Sequence, residues 1–384
     1  MTLLKGGVVY SPDYEGPLDV LIGGNKILQM AQQIDVASLA AITNIVDCTG
    51  KLIAPGLVDI HMHVTGGGGE KGPYSRTPEA KLDQVIEGGI TSLVGLLGTD
   101  GVSRSLPNLL TKLKSFDDQG LSTYMWSGNY HVPPPTLTGS YMTDIMLIDR
   151  VVGFGEIAIA DHRSSAPTLE ELSRIAADAR VAGMLSGKAG LAYFHVGSGK
   201  AKIDQLFAIV EQTDIPITQL LPTHMSDRGD ALLTEGIKWL RVGGRLDLTA
   251  DGENDTTTAA ALIRLDAEKV PFQNVSMSSD AYGSNPVFNS AGVLIAYDYM
   301  KPANLYNTFR KMVLKFGWKI EKMLPVVTRN PATFLGIPKG ELLPGRDADI
   351  IVLDQKTLDI NYVYSKGQLL KTPTWIKPPM FDCI

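Results

Sequence analysis

Apolar residues in this chain fall into short runs, and the spacing of those runs changes twice. Over residues 1–54 the segments LLKGGVVY, DVLIGGNKILQM and NIVDCTGKLIAPG read as short strands broken by turns. The Gly23-Gly24-Asn25 step between two apolar runs is a hairpin signal. From about Gly56 the apolar runs alternate with helical segments. LVDIHMHV, ITSLVGLLGTD, STYMWSGNY, EIAIAD, GLAYFHVG, ITQLLPTH, LDLTAD and NVSMSSD are eight candidate strands, and TLEELSRIAADARVAGM and IDQLFAIVEQT are helix-like stretches between them. Near-continuous apolar strands alternating with helices imply a parallel sheet covered on both faces. Eight of them in about 270 residues suit a (β/α)8 TIM-like barrel. Near Gly345 the pattern reverts, and ADIIVLD and YVYSKGQLL read as strands that rejoin the N-terminal ones. The expected organisation is an α/β barrel over residues 55–340 and a small β-sandwich-type domain built from both chain termini, residues 1–54 and 341–384.

Composition narrows the functional classes. A net charge of −6 leaves no basic stripe for nucleic acid, and no apolar run approaches the roughly 18 residues of a membrane span. The opening MTLLKGGVVY lacks the basic and long apolar regions of a secretory signal. The two cysteines, Cys48 and Cys383, lie far apart, which fits a reducing cytoplasm and offers no thiolate metal site. There are only six histidines, so their positions are informative.

His61 and His63 end the run LVDIHMHV. Residues two apart on a strand point to the same side, so both imidazoles can serve one metal ion. Taken alone, the pair could equally be two partly buried structural histidines. Three more ligand-type residues change that balance: His195 ends GLAYFHV, His224 ends ITQLLPTH, and Asp280 ends NVSMSSD. Barrel active sites form where the C-terminal ends of strands converge, so four histidines and an aspartate at such ends predict a metal centre. The imidazole and carboxylate donors suit zinc. His131 and His162 receive no metal role. The run Gly66–Gly69 could suggest a phosphate cradle, but no GK[ST] follows it.

An HxH on the first strand, single histidines after the fifth and sixth, and an aspartate after the eighth resemble the ligand pattern of the amidohydrolase superfamily. PGLVDIHMH, NPATFLGI and GRDADIIVLD also resemble that superfamily. Within it, HMHVTGGGGEKGPYSRTPE, GTDGVSR, NYHVPPPTLTGS, ADHRSSAP, FHVGSGK, LLPTHMSD and SSDAYGSNP are similar to the isoaspartyl (β-aspartyl) dipeptidases. The resemblance covers essentially the whole chain. It implies two divalent metal ions held by His61, His63, His195, His224 and Asp280, a small dipeptide substrate, and a large homo-oligomer such as an octamer. It further implies that Gly68 offers its backbone to the substrate, Glu70 binds the substrate's free amino group, and Tyr130 polarises the scissile carbonyl. Thr99, Arg163 and Ser284 fall on substrate-binding positions, and a guanidinium at Arg163 suits a carboxylate.

Two positions depart from the subgroup. Its carboxylated lysine, which bridges the metals from the fourth strand, is replaced: counting back from Asp161-His162-Arg163, that position is Glu156, and no lysine lies between Lys114 and Lys188. We read Glu156 as a direct bridge, with the glycines of VGFGE adjusting the strand so that the shorter side chain arrives. The alternative is an inert glutamate beside a one-metal site. The subgroup's second carboxylate-binding arginine falls on Asp227, so either Arg228 moves in or the second carboxylate is recognised differently. The expected chemistry is attack of activated water on an amide, with Asp280 as base and then acid and Tyr130 steadying the oxyanion. The expected reaction releases aspartate and a second amino acid from a β-aspartyl dipeptide. The nearest alternatives are an N-acyl-amino-acid deacylase and a dihydroorotase-like or hydantoinase-like enzyme. From another class, a non-catalytic scaffold is opposed by the retained ligand set.

Overall fold

The computed structural model describes residues 1–35, 44–252, 255–288 and 294–380, so Cys383 lies outside the described residues. Strands β1 (Thr2–Tyr10), β2 (Tyr14–Gly23) and β3 (Lys26–Ala31) form an antiparallel meander. The turn between β2 and β3 is the Gly24-Asn25 step, with Gly24 at φ 59°, a conformation that suits glycine. β4 (Asn44–Asp47) and β5 (Lys51–Pro55) both run parallel to β1.

Eight strands then build the barrel: β6 (Leu57–Met62), β7 (Ile90–Gly95), β8 (Ser122–Ser127), β9 (Val151–Ile159), β10 (Leu191–Val196), β11 (Leu220–Thr223), β12 (Leu246–Thr249) and β13 (Val275–Ser278). The first six form one parallel sheet in chain order, and β12 pairs with β13. The two sheets are joined at both ends: Met225 N donates to Asp247 O, and His63 N donates to Ala281 O at 2.9 Å. A hairpin, β14 (Ser284–Phe288) and β15 (Leu294–Tyr299), follows the last barrel strand.

The chain returns to the first sheet through β16 (Ile350–Asp354), β17 (Ile360–Ser365), β18 (Gln368–Thr372) and β19 (Trp375–Ile376). The result is one nine-stranded sheet from both ends of the chain, in which β16 lies antiparallel to β5. Alternate residues of these strands serve two cores. Ile53, Ile350 and Val352 join Leu4, Val20, Ile27 and Val46 within the sheet domain. Leu52, Ala54, Ile351 and Leu353 belong to the core shared with the barrel and its helices. Both faces are therefore apolar, which is why ADIIVLD is a continuous run rather than an alternating one.

Inside the barrel, Val58, Ile60, Val94, Trp126, Tyr193 and Leu221 pack with Phe334 and Leu335. The last two come from the helix Arg329–Leu335, which packs against the lower part of the barrel interior. Toward the C-terminal strand ends this apolar filling gives way to buried polar side chains, among them Thr223, Asp247, Ser276 and Ser278.

Candidate metal centre

Four imidazoles and two carboxylates meet at those strand ends. His61 Nε2 lies 3.4 Å from His63 Nε2, 3.4 Å from Glu156 Oε1 and 3.3 Å from Asp280 Oδ1. His63 Nε2 is 3.1 Å from Asp280 Oδ1 and 3.6 Å from Glu156 Oε1. On the other side, Glu156 Oε2 lies 3.3 Å from His195 Nδ1 and 3.8 Å from His224 Nε2. Three compact ligand groups result: His61, His63 and Glu156; Glu156, His195 and His224; and His61, His224 and Asp280. Glu156 is common to the first two and turns one oxygen toward each.

Donor chemistry fits a cation here. Both oxygens of Glu156 and Oδ1 of Asp280 are buried without any hydrogen-bond donor among the described residues. Burial opposes ionisation of Glu156, but the His61 charge and the surrounding imidazoles outweigh it and hold the carboxyl well below its ordinary range. Asp280 is lowered by the same competition, burial against the His61 charge and the His63 contact. Burial, reinforced by the nearby His195, pushes His224 down to about 4, so its imidazole is neutral at pH 7. Burial works to lower His61 too, but Glu156 and Asp280 raise it to about 9.

Local backbone features aim these groups. β9 and β10 pair as Phe154↔Ala192 and then Ile157↔Phe194, so Gly155 and Glu156 together face the single residue Tyr193. This is a β-bulge, the extra residue that re-aims a side chain. It lets Phe154 and Ile157, three apart, both pack in the outer core while Glu156 faces inward. A Cβ at Gly155 would lie 2.5 Å from Tyr193 O, so the bulge needs glycine. His224 and Asp280, just past their strands, have φ of 62° and 49°. Such left-handed conformations cost roughly 1–3 kcal/mol for non-glycine residues and gather at functional sites.

A second layer fixes the imidazoles. His224 Nδ1 is 2.8 Å from Thr249 Oγ1, and His61 Nδ1 is 2.9 Å from Tyr193 OH. His195 Nε2 contacts Asp161 Oδ2 at 2.9 Å, which leaves Nδ1 to face Glu156. Burial works against Asp161, but its bonds from His195 and Arg163 hold it well below the usual carboxylate range.

Beside the cluster, a cavity is lined by His63, Gly67, Gly68, Glu70, Gly98, Thr99, Tyr130, Arg163, His195, Arg228, Asp280, Gly283 and Ser284. Every residue expected from the sequence to touch substrate lies on this wall. Arg163 donates through Nε and Nη2 to Asp161 at 3.0 and 2.8 Å, so its fork is partly engaged and Nη1 faces Glu70 Oε1 at 3.3 Å. Tyr130 OH lies 2.8 Å from His195 Nδ1. Burial, then the Glu156 charge, raises the Tyr130 phenol well above 10, which keeps it a neutral O–H donor. Arg228 faces this cavity, while Asp227 lines a neighbouring one and pairs with Arg228 at 3.2 Å. Gly68, at φ 69°, has no room for a Cβ, which would lie 2.6 Å from Ser75 O. His131 and His162 are exposed and outside the cluster.

The model of the Amidohydrolase family matches residues 52–382. The chain belongs to the amidohydrolase family. As an amidohydrolase it is a metal-dependent hydrolase. Its fold is similar to that of the beta-aspartyl dipeptidase of Fervidobacterium islandicum AW-1, solved in complex with the beta-Asp-Leu dipeptide. The TM-score is 0.92 and the identity 44%, over 99% of this chain and 100% of that one. At that identity over the full length, the chain groups with the beta-aspartyl dipeptidases within the amidohydrolases. A dihydroorotase of Listeria monocytogenes serotype 4a is 24% identical over 96% of this chain and 93% of its own. A D-hydantoinase from a Thermus species shares the fold at a TM-score of 0.69 and 12% identity, covering 99% of this chain and 97% of that one.

Sequence reasoning did not single out Asp161, Tyr193, Asp247 or Thr249 as functional. For the last two a signal existed: Asp247 and Thr249 alternate with Leu246 and Leu248 on β12, and Ser276 and Ser278 alternate with Val275 and Met277 on β13. Polar residues at every second position of buried strands mark a polar barrel interior.

Proposed function

We propose that this amidohydrolase cleaves β-aspartyl dipeptides to aspartate and an amino acid, at a centre of two divalent cations bridged by Glu156. The observation that carries this reading is the Glu156 carboxylate, with one oxygen in each of two imidazole groups and no hydrogen-bond donor among the described residues. His61 and His63 would hold one cation and His195 and His224 the other, with Asp280 beside them; zinc suits these donors. Such cations acidify water toward neutral pH and polarise an amide carbonyl.

The chain's own groups supply the rest. Asp280, held ionised, accepts a proton from the attacking water and returns it to the leaving amine. Tyr130 donates its O–H to the oxygen that gains charge in the transition state. Glu70 and Arg163 stand 3.3 Å apart at the cavity wall and form a paired negative and positive site. That pair matches the ammonium and carboxylate of an α-amino acid head group. Arg228 and Ser284 complete the wall for the leaving residue's carboxylate, and Gly68 presents backbone there. Thr99 donates to Glu70 Oε1 at 3.4 Å and so orients it.

The likeness to dihydroorotases favours a cyclic amide as the second reading. Glu70 argues against it, because a cyclic amide has no ammonium for that carboxylate to meet. The zinc-loaded protein is to be assayed on β-Asp-Leu, N-acetyl amino acids, dihydroorotate and hydantoin. Preferential turnover of β-Asp-Leu is expected, and turnover confined to N-acyl or cyclic amides would overturn the proposal.

A further inference from the structure

Directly beneath the imidazoles, the barrel interior holds a buried carboxylate that the chemistry above does not use. Asp247 accepts from Ser276 Oγ at 2.6 Å, Ser278 Oγ at 2.5 Å, Thr223 Oγ1 at 2.8 Å and Tyr193 OH at 3.2 Å. Asp247, Thr223, Ser276, Ser278 and Tyr193 are all fully buried. Among the described residues no cation pairs directly with Asp247, and a buried carboxylate is costly unless its hydrogen bonds are satisfied, as the four hydroxyls satisfy them here. Three of these hydroxyls, those of Ser278, Thr223 and Tyr193, donate to Oδ2 and the fourth, of Ser276, to Oδ1, so the carboxylate is the common acceptor of the group.

The hydrogen bonds run in one direction. His61 Nε2 is turned toward Glu156, Asp280 and His63, so it is the nitrogen that would ligate. Nδ1 must then carry the hydrogen, and it faces Tyr193 OH at 2.9 Å. Tyr193 accepts that hydrogen and passes its own to Asp247 Oδ2. The Tyr193 ring cannot swing away, because it stacks on Trp126 with centroids 4.7 Å apart and planes within 10°. A carboxylate hydrogen-bonded to a ligating histidine fixes the tautomer and makes the other nitrogen a better donor. Here a tyrosine is inserted between the two.

We infer that Tyr193 and Asp247 are positioning residues that hold His61 in its Nδ1–H form and strengthen cation binding from below. The inference rests on the reading of His61 as a ligand. Tyr193→Phe is the direct test, since it removes one hydroxyl and keeps the stacked ring. Zinc affinity of metal-free protein is measured by competition with a chromophoric chelator, alongside zinc stoichiometry and the melting temperature of the metal-free form. Affinity for one of two zinc equivalents should fall about ten- to a hundredfold while the metal-free melting temperature stays within a few degrees of wild type. A cobalt-loaded sample should show a changed visible spectrum, which loss of packing alone would not give. Asp247→Asn leaves the Trp126 stack intact and should weaken the same equivalent, because an amide cannot accept from every hydroxyl around it. It carries the test if Tyr193→Phe does not fold. Wild-type protein that binds two zinc ions, with variants that match its affinity, would overturn the relay alone. Wild-type protein that takes up no metal would overturn the reading of the cluster and the relay with it.

Discussion

Replacing Glu156 by glutamine keeps the size of the side chain and removes its charge, which separates a bridging role from a packing one. Glu156 is fully buried, with imidazole nitrogens 3.3–3.8 Å from its oxygens. In the metal-free protein two effects of the substitution oppose each other: the cost of burying a charge disappears, and so does the attraction to His61. The attraction outweighs the burial cost, so the metal-free melting temperature should fall, and the rise on adding zinc is read against each protein's own metal-free value. Cation binding is affected in one direction only, because an amide offers one weak oxygen donor where the carboxylate offers two charged ones. Free zinc at a hundredfold its dissociation constant stabilises the folded state by about 2.7 kcal/mol per site. At about 2.1 cal/mol/K per residue, 384 residues give a melting entropy near 0.8 kcal/mol/K. Each occupied site then raises the melting temperature by about 3 °C, and two sites by about 6 °C. The assay is differential scanning calorimetry with and without zinc, paired with metal analysis of the desalted protein. Wild type should show the full rise and two equivalents; Glu156→Gln should show half the rise or less and at most one equivalent. Equal rises and equal metal content would refute the bridge.

A glutamate bridge needs no carbon dioxide to form, so metal-free wild type reloaded with zinc in carbon-dioxide-depleted buffer should regain the activity obtained with bicarbonate; strong bicarbonate dependence would point to another bridging group. Asp280→Asn should lower kcat at least about a hundredfold while leaving the circular dichroism spectrum unchanged, and a near-native kcat would remove its proton-transfer role. Glu70→Gln should impair substrates with a free α-amino group far more than N-acylated ones, by roughly 1.5–3 kcal/mol or about 10- to 150-fold in kcat/KM. Equal losses on both substrate types would show that Glu70 does not recognise the ammonium.

The strand-end residues that the structure brings together were legible because they stand near the end of an apolar run, as His195 does after Leu191–Phe194 and His224 after Leu220–Thr223. The helix expected over TLEELSRIAADARVAGM is found at Leu169–Ser186, set by the capping box of Thr168 and Glu171. β9 was less legible: EIAIAD marks only its second half, because the glycines of VVGFG weaken the strand pattern just where the bulge lies. The hairpin β14–β15 was not read at all, since Ser284-Asn285-Pro286 looks like a turn and a strand proline is an unusual choice. Asp161 and Tyr193 each contact an imidazole and Asp247 contacts Tyr193, and only the folded geometry reveals which neighbour each one meets.

The shared sheet also bears on how the polypeptide reaches its final form during synthesis. Pro55 of β5 pairs with Ile350 of β16, so the partner emerges 350 − 55 = 295 residues later. At a translation rate of about 5–20 residues per second, β5 waits about 15–60 s for it. Through that interval the apolar edge Leu52–Ala54 has no neighbour on that side, and an unpaired edge of this kind invites association with other nascent chains. Lys51 at the head of the strand is a charge of the sort that guards such edges. The barrel, whose first six strands pair in the order they are made, can assemble in the meantime. The joint between the two domains is thus the last part of the molecule to close.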